Sequence, residues 1–236
     1  MRVTSVQFAA AIHPHKHKVR AVMKRSWMMA ATLSSVLAAM TSQAAEAPAG
    51  DATANVTGNA QSGATKAVVC QACHGANGNS VNGQWPSLAG LGAPYIVEQL
   101  QNFKEGKRNN PVMMPLAMAL SPQDMADVAA YFTSQVNTGL EADPSNWKAG
   151  EKLYRGGDRE RGIPACSACH GPTGYGNEPA KFPALRGQHA EYVVKQLNDW
   201  VAGARPPGAG GIMPTIAKRL SAEDMRALAS YVQGLR

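Results

Sequence analysis

Apolar residues recur at helical spacing in two places along the chain. Met125, Val128, Ala129 and Phe132 fall at i, i+3, i+4 and i+7, and Met225, Leu228, Ala229 and Val232 repeat the pattern. Such a stripe is one buried face of an α-helix. Ser121 and Ser221 precede the two stripes as N-cap residues, with Asp124 and Asp224 three positions on and Pro122 suited to a first helical position. A middle helix is predicted to start near Pro94 and bury Ile96, Leu100 and Phe103; its counterpart buries Val193, Leu197 and Trp200. Short helices are expected at residues 65–69 and 147–154. No stretch alternates apolar and polar residues as a half-buried strand would, so the expected fold class is all-α.

The helices come in sets because the chain repeats itself. "PSLAGLGAPYIVEQLQNFKEGKR" parallels "PALRGQHAEYVVKQLNDWVAGAR", and "ALSPQDMADVAAYF" parallels "RLSAEDMRALASYV", with an offset that drifts only from 96 to 100 residues. Two copies at that period are two domains rather than a solenoid. The division expected is a leader at 1–44, a flexible lead-in at 45–62 that is poor in large apolar side chains, a first domain at 63–137, a linker at 138–146 and a second domain at 147–236.

Charge changes the picture at the N-terminus. Arg2, Lys16, Lys18, Arg20, Lys24 and Arg25 precede an apolar run at 27–40, which small residues follow. That order describes a signal peptide, and the run is short of the ~20 residues a membrane-spanning helix needs. The formal net charge is +7, but without the leader 17 Lys+Arg face 16 Asp+Glu. A nucleic-acid partner is therefore not expected, because phosphate binding needs a local excess of cations. His13, His15 and His17 lie in the same discarded segment. Translation starting at Met23 would leave an ordinary signal peptide.

All four cysteines lie in two packets, "CQACHGANGNS" from Cys70 and "CSACHGPTGYGN" from Cys166. A zinc site needs four ligands close together, whereas these pairs are almost a hundred residues apart, one per repeat. A thioredoxin-like dithiol belongs after a strand, and none is expected. C-x-x-C-H remains as the haem attachment element: Cys70, Cys73, Cys166 and Cys169 form thioethers, and His74 and His170 are proximal iron ligands. A domain of this size has a marginal core of its own, and the macrocycle completes it. Two covalently bound haem c groups are expected.

For the second axial ligand each copy offers a methionine in a proline-containing loop. Met213 lies seven residues before Leu220, and the same count back from Leu120 reaches Met113; Met114, followed by Pro115 as Met213 is by Pro214, is the competitor. Met125 and Met225 read as core packing. His189 reads as a surface or capping residue rather than a ligand, and Trp85, Trp147 and Trp200 as packing around the macrocycles. Arg108 and Arg205 end the middle helices, where either a haem propionate or the helix dipole could engage them.

With the packets, the Met loops, "GEKLYRGG" and "FPALRGQHAEY" in place, the chain resembles the dihaem cytochrome c4 family over residues 66–236. The resemblance implies two class I cytochrome c domains about a pseudo-twofold axis with propionates facing each other. It also implies a periplasmic, often membrane-associated, carrier of single electrons between a quinol-oxidising complex (quinol–cytochrome c reductase) and terminal oxidases. The expected product is an electron carrier and not an enzyme. Two alternatives remain: a haem subunit of a sulfur-compound oxidoreductase and a small dihaem peroxidase. The doubled Met in "NNPVMMPLAM" and the long N-terminal extension depart from the family pattern.

Overall fold

The computed structural model describes residues 56–235, all within one compact unit. The expected signal peptide and residues 45–55 of the lead-in lie outside the described residues. The first half contains α1 (Ala60–Lys66), α2 (Val68–His74), α3 (Ala93–Lys104), α4 (Met113–Met118) and α5 (Pro122–Thr133). The second contains α6 (Trp147–Gly156), α7 (Ser167–His170), α8 (Ala190–Val201), a 3-10 turn (Ala209–Gly211), α9 (Ile212–Ala217) and α10 (Ala222–Gly234). Among the described residues the only β-pairing is two isolated bridges, Asp158 with Ile163 and Asn177 with Phe182, so the fold is all-α as expected.

The halves pack alike. Helix α1 lies on α5 and α6 on α10, while α3 packs against α4 and α5, and α8 against α9 and α10. The expected caps form. Ser121 Oγ accepts from Asp124 N at 3.1 Å and Ser121 N donates to Asp124 Oδ2 at 3.0 Å; Ser221 and Asp224 do the same at 3.1 and 2.8 Å. The apolar stripes face the two cores, with Val128, Ala129 and Phe132 buried in one and Met225, Leu228 and Val232 in the other.

The start of the first half differs from the sequence expectation. Residues 60–62 belong to a helix rather than to a flexible lead-in, and residues 65–69 straddle the break between α1 and α2. Asn59 caps α1 by accepting from Ser62 N at 2.9 Å, and its own N–H donates to Asp127 Oδ1 at 2.8 Å. Gly63 is buried where any Cβ would run into the Asp127 carbonyl. A segment that must touch a helix backbone cannot carry large side chains, so its small residues mark close packing rather than disorder. Gly150 of α6 meets the Ala227 carbonyl of α10 in the same way.

Candidate functional site

His74 and His170 are the last residues of α2 and α7, so each C-x-x-C-H packet ends a helix. Gly75 and Gly171 follow at φ 82° and 79°, a conformation costly for any residue with a Cβ, and they turn the chain away from the ring. Both imidazoles are buried. Nδ1 of His74 lies 2.8 Å from the Pro86 carbonyl and Nδ1 of His170 lies 2.9 Å from the Pro183 carbonyl. A carbonyl only accepts, so Nδ1 carries the proton in each ring and Nε2 keeps its lone pair. Burial lowers both histidine pKa values, offset in part by those carbonyl bonds, which favours the neutral rings.

The four cysteines are half-buried and form no disulfide. Burial raises the Cys70 thiol pKa and pushes that of Cys166 up to about 11. A dithiol redox site needs a lowered thiol pKa, so these environments argue against that reading. Among the described residues no three His, Cys, Asp or Glu side chains converge as a metal-binding group, which argues against zinc.

One continuous cavity runs through both halves and is lined by both packets together with Met113 and Met213. Met114 is absent from its wall. Asn110 Oδ1 accepts from the N–H groups of Val112 and Met113, each at 3.0 Å, and so holds the start of α4. Trp85 and Trp200 line the cavity as expected. Trp147 does not; it packs against the second helical core, where α6 meets α10.

Between the halves lies a buried polar cluster that sequence reasoning read only in part. Arg108 donates to Gln99 Oε1 of its own half at 2.8 Å, to the Tyr192 hydroxyl at 2.9 Å and to Gln196 Oε1. Arg205 donates to Gln196 Oε1 at 3.1 Å, to the Tyr95 hydroxyl at 2.7 Å and to Gln99 Oε1 at 3.4 Å. Each arginine thus bonds its own glutamine and the other half's tyrosine and glutamine, the reciprocity of a pseudo-twofold contact. All these direct acceptors are neutral oxygens, although Asp199 stands next to Gln196, which donates to it at 3.2 Å. The arginines do not end the middle helices as the sequence reading expected: α3 stops at Lys104 and α8 at Val201, so the helix-dipole alternative falls. The missed partners had a signal: Tyr, Gln and Arg recur at the same mutual spacing in both copies, the Tyr and Gln on α3 and α8 and the Arg in the segment that follows each helix.

His189 is neither a surface residue nor a side-chain cap. It occupies the N-cap position of α8 without a capping side-chain bond, is buried, and places Nε2 2.8 Å from the Ser80 carbonyl of the first half. Beside it Gln188 exchanges two bonds with the Ser87 backbone, each at 2.9 Å. Both are structural ties between the halves.

The residues fit two covalently attached haem groups. Each half offers a thiol pair, a neutral histidine with one nitrogen free and a thioether on one apolar cavity wall, and two buried guanidinium groups stand where that cavity joins the halves. The comparisons agree. The family model "Cytochrome c" matches residues 60–135 and 148–236. Cytochrome c4 of Azotobacter vinelandii is 48% identical over 192 residues, covering 77% of this chain and 91% of that protein. The thiosulfate dehydrogenase electron acceptor of Stutzerimonas stutzeri is 41% identical over 170 residues, covering 70% of this chain and 78% of that one. The crystal structure of reduced recombinant cytochrome c4 from Pseudomonas stutzeri superposes with a TM-score of 0.74 at 46% identity, covering 76% of this chain and 100% of that one. The chain belongs to the cytochrome c family and, within it, to the dihaem cytochromes c4, electron carriers with two covalently bound haem c groups.

Proposed function

We propose that the chain is a periplasmic carrier that moves single electrons between a quinol-oxidising complex and terminal oxidases, with His74 and Met113 as the axial ligands of one iron and His170 and Met213 as those of the other. The observation that carries this reading is the single cavity with one matched ligand set in each half. Each haem supplies a one-electron ferric–ferrous couple.

The chain's own residues do the rest. Cys70, Cys73, Cys166 and Cys169 tether the groups covalently. The Pro86 and Pro183 carbonyls hold the imidazoles in one tautomer and one orientation, so a change of iron charge need not reorient the ring. Met113 and Met213 would supply a thioether to each iron, and such a ligand would raise the potential, which suits a carrier over a peroxidase. Arg108 and Arg205 would offer positive charge to the propionates where the halves meet, held there by the tyrosine and glutamine oxygens. Among the described residues no helix is long and apolar enough to cross a membrane.

A second reading has specific support. Two relatives, 41% and 40% identical, are named thiosulfate dehydrogenase electron acceptors. On that reading the electrons come from a sulfur-compound dehydrogenase instead of a quinol-oxidising complex, and the ligand sets stay the same. Potentiometric titration of protein made in a cytochrome-maturing host tests the ligand assignment: two low-spin centres, each with a methionine–iron charge-transfer band, are expected. A high-spin centre with peroxide turnover would overturn it. Reduction of the purified protein by a quinol-oxidising complex or by a thiosulfate dehydrogenase, tested side by side, separates the two donors.

A further inference from the structure

The arms that carry the two methionines are built differently. In the first half Asn110 Oδ1 accepts from Val112 N and Met113 N, and the Asn110 carbonyl accepts from Met114 N at 3.0 Å, so Met113 sits on an anchored turn. The position of Asn110 is Gly210 in the second half, and no side chain caps α9. The connection from the middle helix to the methionine is also three residues longer there. It carries Gly203, Gly208, Gly210 and Gly211, against Gly106 alone in the first half. Gly208, Gly210 and Gly211 lie at φ 71°, 69° and 65°, a region that residues with a Cβ rarely adopt. Pro206 and Pro207 stiffen the start of this segment, and Trp200 Nε1 donates to the Pro206 carbonyl at 3.1 Å. The freedom therefore falls on residues 208–211, just before Met213. A Cβ placed on Gly208 would meet no atom within 4 Å. Residues 206–209 line both the cavity and an adjoining surface cleft of about 460 Å³, so this loose segment is the wall that the cavity shares with solvent.

From this contrast we infer that Met213 is the exchangeable ligand of the two: its arm lifts off the second iron and admits a small neutral nitrogen donor past residues 206–211, while Met113 stays in place. The inference rests on the ligand assignment proposed above. A segment with few packed neighbours opens locally at a low free-energy cost, and glycines regain the most backbone entropy when released. Lifting Met113 instead breaks both bonds to Asn110 and leaves helix N-terminal N–H groups without their acceptor. The apparent affinity for an incoming ligand scales with the fraction of centres whose methionine is detached, so the looser arm gives the tighter site. The exchange breaks an iron–sulfur bond and forms an iron–nitrogen bond, lone pair for lone pair, with no electron or proton transferred. A charged donor is disfavoured because it would lose its hydration against the apolar cavity wall. The first half thus remains a closed carrier, and the second is the half whose potential a small ligand can reset.

The test uses the full-length, haem-loaded ferric protein at one fixed pH and follows the methionine–iron band as imidazole is added. In the wild type, half of the band should disappear at an imidazole concentration about tenfold below that needed for the other half. Met113→Ala leaves only the second centre's band, which should follow the early step. Met213→Ala leaves only the first centre's band, which should follow the late step. Asn110→Ala should move the late step to about tenfold lower imidazole, so that the two steps merge. Haem content and helical circular dichroism should match the wild type in that variant, which separates a loosened arm from a damaged fold; the single-methionine variants decide the order without it. One step with equal affinities, the reverse order in the single-methionine variants, displacement at neither centre, or an unmoved late step in a well-folded Asn110→Ala would overturn the inference. A wild-type protein that lacks the methionine–iron band at either centre before imidazole is added would instead bring down the ligand assignment itself.

Discussion

At the scale of single residues, Met113 and Met114 are chemically equivalent and adjacent, yet only Met113 reaches the cavity wall. Met113→Ala should remove the methionine–iron band of the first haem and lower its potential, while Met114→Ala leaves both in place; absorption spectra and a redox titration of the two variants check this. The arginines make a second residue-scale case. Removing either arginine leaves the other half's tyrosine hydroxyl without its donor, at about 1–3 kcal/mol per unsatisfied group, while both glutamine oxygens keep the remaining arginine. Arg108→Met and Arg205→Met should each lower the stability of the haem-loaded protein by about that much, read by denaturant titration. The sequence marked both arginines but could not say what they face, since the acceptors sit on another helix in the other half.

At the scale of elements, the N-terminal helix of each half approaches the last helix closely through a glycine, and in α6 the apolar Trp147, Leu153 and Tyr154 pack beside that contact. Gly63→Val would drive a branched side chain into the α5 backbone, and Gly150→Val would do so at α10. Each should cost about 1–3 kcal/mol or more, measured as a fall in Tm, because neither backbone can yield without disturbing the core behind it. The helices read from apolar periodicity and caps, α3, α5, α8 and α10, were legible because their signal is local. Helix α1 was not, because a glycine-rich, polar segment looks the same in sequence whether it is loose or pressed against a neighbour. The tie on the loop after each packet shows the same limit. Tyr131 of α5 donates to the Ala76 carbonyl at 3.0 Å, whereas in the second half Tyr154 of α6 donates to the Gly171 carbonyl at 2.7 Å. Comparable positions are held from different helices, which aligning the repeats alone would not reveal.

At the scale of the whole molecule, ion pairs join distant parts of each half and set its response to acid. Lys66 holds Asp124 and Asp127 below the usual carboxylate range, and Arg161 holds Asp224 down to about 2. A carboxyl depressed by folding stabilises the native state above its unfolded pKa of ~3.9, and that contribution is lost as pH falls through the depressed native values. Thermal stability should therefore be flat near neutral pH, as far as these groups are concerned, and decline below about pH 4. Lys66→Met should flatten the part of that decline due to Asp124 and Asp127, and Arg161→Met the part due to Asp224. Melting curves across pH for the three proteins check the assignment.

Read alone, the sequence was enough for the all-α class, the duplication and the attachment of two haems, because each rests on short-range information: helical periodicity, matched strings, and thiols and imidazole within one packet. The relation between the halves lies in tertiary contacts. The reciprocal Arg108 and Arg205 bonds and the Gln188 and His189 ties all join residues far apart in the chain. A side chain's chemistry is written in its own position, but its burial, its partner and its neighbours across an interface depend on how the whole chain packs.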